Sequence, residues 1–108
     1  MALDMKLSES SLTSEIHHDE EPFLMLIKTH DLSCPILYRI WERYYEDPRI
    51  HHSDSALILE ELATINCFIQ SQRPASIDSK KWAETFAKLT EFFTEASNTK
   101  STVQCISD

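Results

Sequence analysis

The stretch with the strongest bearing on the fold is residues 53–72, Ser-Asp-Ser-Ala-Leu-Ile-Leu-Glu-Glu-Leu-Ala-Thr-Ile-Asn-Cys-Phe-Ile-Gln-Ser-Gln. Their apolar side chains recur at helical spacing and cover an arc broad enough to contact several neighbouring elements. The centre of that arc is formed by Ile58, Leu62, Ile65 and Ile69. Ser53 or Asp54 can cap the first turn. The pattern predicts a central helix that reaches about Gln72.

Two further amphipathic segments lie on either side of this helix. The earlier one follows Ser33, which can act as its cap, and ends at Asp47-Pro48. Its apolar stripe consists of Ile36, Leu37, Ile40, Trp41 and Tyr44. The later segment opens at Ile77-Asp78-Ser79. Its stripe consists of Trp82, Phe86, Leu89, Phe93 and Ala96. Both segments are predicted to be helices packed against the central one.

Residues 22–30 and the two ends of the chain are less regular. The five-residue apolar run inside 22–30 fits a helix or a buried strand, and we predict a helix because acids precede the run and Lys28 and His30 follow it. Residues 1–18 are Ser-rich and predict a mobile arm or a short docking helix. Residues 98–108 have the composition of a tail.

Glycine is absent from all 108 residues. Since glycine adopts positive φ at low cost, tight hairpin turns are harder to build without it. A few long helices need only a few connections, so the composition favours helices over strands. We therefore predict a single all-α domain over residues 1–108, a compact antiparallel bundle of three to four helices.

The charge is strongly acidic, with 18 acidic and 10 basic side chains and a formal net charge of −8. No clustered basic face is visible, which argues against nucleic acid and against anionic membranes as partners. A basic protein partner fits better, because opposite charge steers the encounter. The alternative is that the charge only maintains solubility.

The cysteines and the N-terminus bear on the compartment. Cys34, Cys67 and Cys105 are odd in number and form no CxxC pair, which favours free thiols in a reducing environment. The first residues lack the pattern of a signal peptide, and no apolar run approaches the ~20 residues that span a bilayer. A cytoplasmic protein is expected.

Catalytic and cofactor motifs are largely excluded. Dinucleotide-binding loops, P-loops and nucleophile elbows all need glycine, and no cofactor is predicted. The pairs His17-His18 and His51-His52 could form a zinc or nickel site only if a bent loop made them converge, so solvated histidines are favoured. A pairing of Cys67 with His30 would require a proximity that sequence cannot show.

Several acidic and aromatic side chains are candidates for partner binding. Glu61 falls inside the apolar arc of its helix, where it needs a cation such as Arg39, Arg43 or Arg73, or a groove open to a partner. Tyr45 lies at the edge of its stripe beside acids and can serve as an interface anchor. The predicted partner-binding residues are Asp19, Glu20, Glu21, Tyr45, Glu46, Asp47, Asp54, Glu60 and Glu61.

The stretch from Pro22 to Ile50, with its core Leu-Tyr-Arg-Ile-Trp-Glu-Arg-Tyr-Tyr-Glu-Asp-Pro, resembles small acidic helical immunity proteins that neutralise bacterial toxins. The resemblance covers about a quarter of the chain and contains no diagnostic motif, so it assigns no residue roles. It implies a non-catalytic inhibitor that binds a basic or nucleic-acid-directed toxin domain. A helical adaptor or self-associating module, possible as a homodimer, is the alternative. A metal-dependent enzyme using the His-His pairs is a remote one.

Overall fold

The computed structural model describes residues 2–107 and contains both helices and strands. In chain order the elements are β1 (Leu3–Leu7), β2 (Thr13–Ile16), α1 (Glu21–Thr29), α2 (Pro35–Glu42), β3 (Arg49–Ile50), α3 (His52–Gln72), α4 (Ser79–Asn98) and β4 (Val103–Ser107). Short 3₁₀ turns at His18–Glu20 and Tyr44–Glu46 precede α1 and β3. No helix among residues 2–107 is both long and apolar enough to cross a membrane.

The prediction of an all-α bundle is wrong, because the four strands form one antiparallel sheet in the order β2-β1-β4-β3. The segments predicted as an N-terminal arm (1–18) and a C-terminal tail (98–108) supply the two central strands, β1 and β4. Leu3 lies opposite Ser107 and Leu7 lies opposite Val103. The protein is therefore a mixed α/β structure whose sheet joins the beginning of the chain to its end.

Burial alternates along the central strands, which gives the sheet an inner and an outer face. Leu3, Met5 and Leu7 of β1 are buried, and so are Val103 and Cys105 of β4. These side chains belong to the same core as the apolar stripes of the helices. The intervening side chains face away from the core, so the helices cover only one side of the sheet.

The chain reverses direction without glycine by placing other residues in the left-handed region. Positive φ values occur at Asp31 (51°), Asp47 (48°), Arg73 (44°) and Lys100 (52°). After α4, the N–H of Ser101 donates to the carbonyl of Ala96, which closes the helix end. Each such residue costs about 1–2 kcal/mol. All four residues follow a helix or a 3₁₀ turn, whereas residues 8–12, which join β1 to β2, contain no positive φ. The hairpin therefore does not need glycine, which is why the inference from composition was wrong.

The predicted helices are confirmed, with changes at their ends. The helix predicted within residues 22–30 is α1, Glu21–Thr29, with His30 as its C-cap. The second helix, α2, ends at Glu42, earlier than predicted, and a 3₁₀ turn at Tyr44–Glu46 follows it. The cap of α3 is His51, whose ring nitrogen accepts the N–H of Ser53, so neither Ser53 nor Asp54 is the cap. Asp78 caps α4 through the N–H groups at positions 80 and 81.

The two longest helices, α3 and α4, pack along each other, and α4 carries the three largest fully buried side chains, Trp82, Phe92 and Phe93. Trp82 of α4 is fully buried and meets Phe23 of α1 edge-on, with ring centroids 5.1 Å apart. Its indole N–H donates to the side-chain oxygen of Asn66 on α3 at 2.9 Å. The packing of Trp82 thus links three helices on the inner side of the sheet.

Candidate protein-binding surface

The Glu61 carboxylate is buried and is used inside the fold. One of its oxygens accepts the N–H of Leu37 at 2.9 Å and the other accepts the N–H of Ile36 at 3.2 Å. These amides lie in the first turn of α2, where no helical carbonyl can pair with them. A side chain of α3 therefore caps α2, whose own N-cap, Cys34, makes no side-chain cap bond. Among the described residues no cation lies within 4.0 Å of Glu61, and Arg39, one of the predicted partners, pairs with Asp54 and acts on Glu61 only through its charge. The carboxylate is buried and does not open onto a groove.

Burial also affects the titration of Glu61. Desolvation raises the pKa of this carboxyl above its usual value, although the two backbone amides and the nearby Arg39 oppose that rise. Burial, with a smaller contribution from the charge of Glu61, raises the pKa of the Cys34 thiol to about 11. This thiol stays protonated at neutral pH and is not an activated nucleophile.

Glu20 is a second buried carboxylate, with only 2% of its surface exposed. Lys88 Nζ lies 2.8 and 2.9 Å from its two oxygens, the Thr85 hydroxyl donates to it, and the N–H of His17 donates at 2.9 Å. Desolvation raises the pKa of Glu20, but these partners outweigh it and hold the pKa below its usual value. The carboxylate fastens the 3₁₀ turn before α1 onto α4.

Glu20 and Glu61 are both among the residues predicted to contact a partner, and in the structure both are buried. Each is enclosed because a neighbouring element supplies its hydrogen-bond donors, so neither is available at the surface. The sequence singled out Glu61 as unusual through its position within an apolar arc. Glu20 gave no comparable signal, because it stands in a run of acids that reads as a solvated segment.

The other predicted acids lie on several elements. Asp19 is exposed and pairs with Lys81 at 3.2 Å, and Asp54 pairs with Arg39 at 3.8 Å. Glu21 is half-buried at the start of α1, and Glu60 is exposed on α3. Exposed ion pairs of this kind contribute little to stability. The acids therefore do not form a single face.

The remaining predicted residues are brought together with two aromatic neighbours. We name Trp41, Tyr44, Tyr45, Glu46 and Asp47 the Tyr45 ridge. The rings of Trp41 and Tyr44 are stacked with centroids 6.1 Å apart, and Tyr44 meets Tyr45 edge-on at 5.8 Å. Tyr45 is 66% exposed, whereas the adjacent Tyr44 is partly buried and packs against the core. An exposed tyrosine supported in this way has the character of an interface anchor.

The Tyr45 ridge is fixed to the sheet at its C-terminal end. Asp47 Oδ1 accepts hydrogen bonds from the N–H of Ser107 at 2.9 Å and from its hydroxyl at 3.0 Å. The N–H of Cys105 donates to the carbonyl of Pro48 at 3.0 Å. Because strand β4 holds the ridge, binding would cost less conformational entropy than binding through a free loop. Asp47 therefore acts as a support for the ridge rather than as a free charge.

Charged side chains lie around Tyr45, at the C-terminal end of α2 and in the 3₁₀ turn that follows. Arg43 lies 3.9 Å from Glu46, and both side chains are more than half exposed. The hydrogen bond and charge of Glu42 raise the pKa of Tyr38, one helical turn before the ridge. Tyrosine, tryptophan and arginine are the residue types that dominate binding energy at protein interfaces. Sequence reasoning found Tyr45 but did not select Trp41, Tyr44 or Arg43.

The histidines and Cys67 form no arrangement of a metal or nucleophilic site in the described part of the chain. Between residues 2 and 107, no group of three or more His, Cys, Asp or Glu side chains is placed to hold a metal ion. His17 pairs with Glu15 at 2.9 Å, while the rings of His51 and His52 lie 4.1 Å apart. His30, which belongs to neither His-His pair, packs against Phe68, with the two ring centroids 4.6 Å apart.

All three cysteines are free thiols, as the sequence predicted. Cys67 is exposed on α3, and Cys34 and Cys105 are buried. Burial raises the pKa of Cys105 to about 12, with a smaller contribution from Asp47.

No protein-family model matches the chain, and neither a curated protein nor a solved structure is significantly similar to it.

Proposed function

We propose that the protein is a non-catalytic binding protein whose Tyr45 ridge docks onto a basic partner protein. The observation that carries this proposal is the 66% exposed Tyr45, held on a turn that Asp47 ties to β4. A rigid aromatic side chain gives large contact area with little loss of side-chain entropy. The ridge is the place where an anchor residue, a fixed backbone and acidic neighbours coincide.

The charge of the molecule supports a basic partner. With a formal net charge of −8, the protein attracts cationic surfaces over distances of about 8–10 Å at physiological ionic strength. Glu46 within the ridge and Glu42 next to it are both exposed, so a cationic group beside the docked tyrosine would meet carboxylates. An inhibitor of the immunity type, which covers a toxin domain that acts on nucleic acid, is the biological role we propose.

The experiment compares capture of proteins from native lysate by three immobilised forms of the chain, with quantification of every retained protein. The forms are the wild type, Tyr45→Ala, and Leu57→Ala as a control, because Leu57 is an exposed apolar residue on α3 with 46% exposure. We expect a basic protein to be retained by the wild type and the control. Its retention by Tyr45→Ala should fall at least tenfold, since anchor residues contribute about 2 kcal/mol or more.

Salt and self-association complete the test. Retention of the basic protein should fall as the salt concentration rises, because charge steers the encounter. Equal capture by the wild type and Tyr45→Ala would contradict the proposed role of the ridge. Sedimentation separates the alternative function: a homodimer that Tyr45→Ala abolishes would assign the ridge to self-association instead.

A further inference from the structure

The outer face of the sheet carries a row of polar side chains from all four strands. The strand register places Lys6 of β1 opposite Thr13 of β2 and opposite Gln104 of β4. Gln104 in turn lies opposite Arg49 of β3. Neighbouring strands are about 4.8 Å apart, so the backbones of Lys6 and Arg49 are separated by roughly 10 Å across Gln104. Two long cationic side chains therefore flank one amide side chain.

This row borders a shallow depression of about 280 Å³. The lining residues are Lys6, Leu7, Ser8, Arg49, Thr102 and Gln104. Two hydrogen bonds between Ser8 and Thr102 hold its rim. The N–H of Ser8 donates to the carbonyl of Thr102 at 3.1 Å, and the N–H of Thr102 donates to the Ser8 hydroxyl oxygen at 3.0 Å. The hydroxyl proton of Ser8 remains free to donate.

The charge of the depression contrasts with the acidity of the chain. No carboxylate of residues 2–107 lines it, although the sequence contains 18 acidic residues. Within the described residues, Lys6 and Arg49 have no carboxylate within 4.0 Å, whereas Arg39 and Lys88 each pair with one. Asp4 lies one row further along the outer face, opposite Ile106. Asp4 also lies opposite Glu15 of β2, so the acidic residues occupy the row next to the cationic one and not the cationic row itself.

We propose that this depression, the Lys6–Arg49 site, binds a phosphate group. The planar guanidinium of Arg49 can hold two oxygens of a tetrahedral anion, and the Lys6 ammonium supplies a point charge. Gln104 and the hydroxyls of Ser8 and Thr102 supply neutral donors for the remaining oxygens. A volume just below the usual range for ligand clefts suits a small ligand. The site does not depend on the Tyr45 ridge.

The test is a titration of the full chain with inorganic phosphate, with a phosphate monoester such as phosphoserine, and with succinate, at constant ionic strength. Amide chemical shifts report the position of binding. The site variant is Lys6→Gln with Arg49→Gln. The control variant is Lys28→Gln with Lys80→Gln, which lowers the positive charge equally with two exposed lysines from other elements.

We expect saturable phosphate binding, with shifts centred on residues 102–104, in the wild type and the control. The site variant should bind at least tenfold more weakly. Tighter binding of the monoester would identify a phosphate-bearing molecule as the ligand, and equal binding would identify free phosphate, each in support of the site. The proposal is overturned by absence of saturable binding to the wild type, by equal weakening in both variants, by shifts centred elsewhere, or by tighter binding of succinate.

Discussion

Replacement of Glu61 by alanine tests whether one buried carboxylate holds α2 onto α3. The variant leaves the N–H groups of Ile36 and Leu37 without the oxygens that lie 3.2 and 2.9 Å away. Both amides are in the first turn of α2, and Glu61 itself is only 6% exposed. Water can reach this position only if the contact between the helices loosens. We therefore expect a loss of global stability, with α2 affected most.

The magnitude follows from two opposing contributions. Each buried amide left unsatisfied costs about 1–3 kcal/mol, and loss of a negative charge at a helix N-terminus costs up to about 2 kcal/mol. Against these, removal of a buried charge relieves desolvation, which raises the pKa of Glu61 in the native protein. We expect a net loss of about 2–4 kcal/mol, equivalent to a fall in Tm of roughly 10–20 °C for a domain near this size.

Urea denaturation followed by tryptophan fluorescence measures the free energy of unfolding. The matched control is Glu60→Ala on the same helix, because Glu60 is exposed and its side chain holds no described hydrogen bond. This control should stay within about 0.5 kcal/mol of the wild type. Glu61→Gln keeps one acceptor and should lose less than Glu61→Ala. If Glu61→Ala and Glu60→Ala proved equally stable, the cap would not contribute as argued.

Three further predictions concern stability and thiol chemistry. The partners of Glu20 lower its pKa from 4.5, so the wild type should be more stable than Glu20→Gln above pH 4.5. That advantage in stability should disappear as the pH falls through the pKa of Glu20 in the folded state. Urea denaturation at a series of pH values measures the difference in stability, and a difference that does not change with pH would contradict the prediction. Deletion of β4 removes a central strand with fully buried side chains and should abolish cooperative unfolding in near-UV circular dichroism; retained cooperativity would show that the sheet is dispensable. A disulfide reagent under native conditions should modify Cys67 rapidly, whereas Cys34 and Cys105, with pKa values of about 11 and 12, should react only on unfolding; three fast thiols would refute their burial.

The helices could be predicted from the sequence because their signals are local. The apolar stripes of α2, α3 and α4 repeat over several turns, and the structure buries the residues at their centres. The strands could not be predicted in this way. Leu3 and Leu7 are four positions apart, which fits a helix as well as a strand, and only the burial of Met5 between them reveals alternation. Their partner strand lies at the other end of the chain.

The candidate site was predictable only in part. Tyr45 could be selected because an aromatic residue stands beside acids at the edge of a helical stripe. Its support could not, because the bond between Asp47 and Ser107 joins residues 60 positions apart. The same limit applies to Glu61, whose unusual position was visible in the sequence while its partners depend on how α2 approaches α3. Local patterns show which residues are unusual, and tertiary contacts decide what they do.

The pairing of β1 with β4 has a consequence for how the chain acquires its structure. Closing this pair brings together segments separated by about a hundred residues, at an entropic cost that grows with the logarithm of loop length and is about 4 kcal/mol here. During synthesis, β1 leaves the ribosome before β4, and the edge of β1 that pairs with β4 stays unpaired until then. Pairing of β1 with β4 is therefore a late event, and the nascent chain is vulnerable to aggregation until β4 has been made.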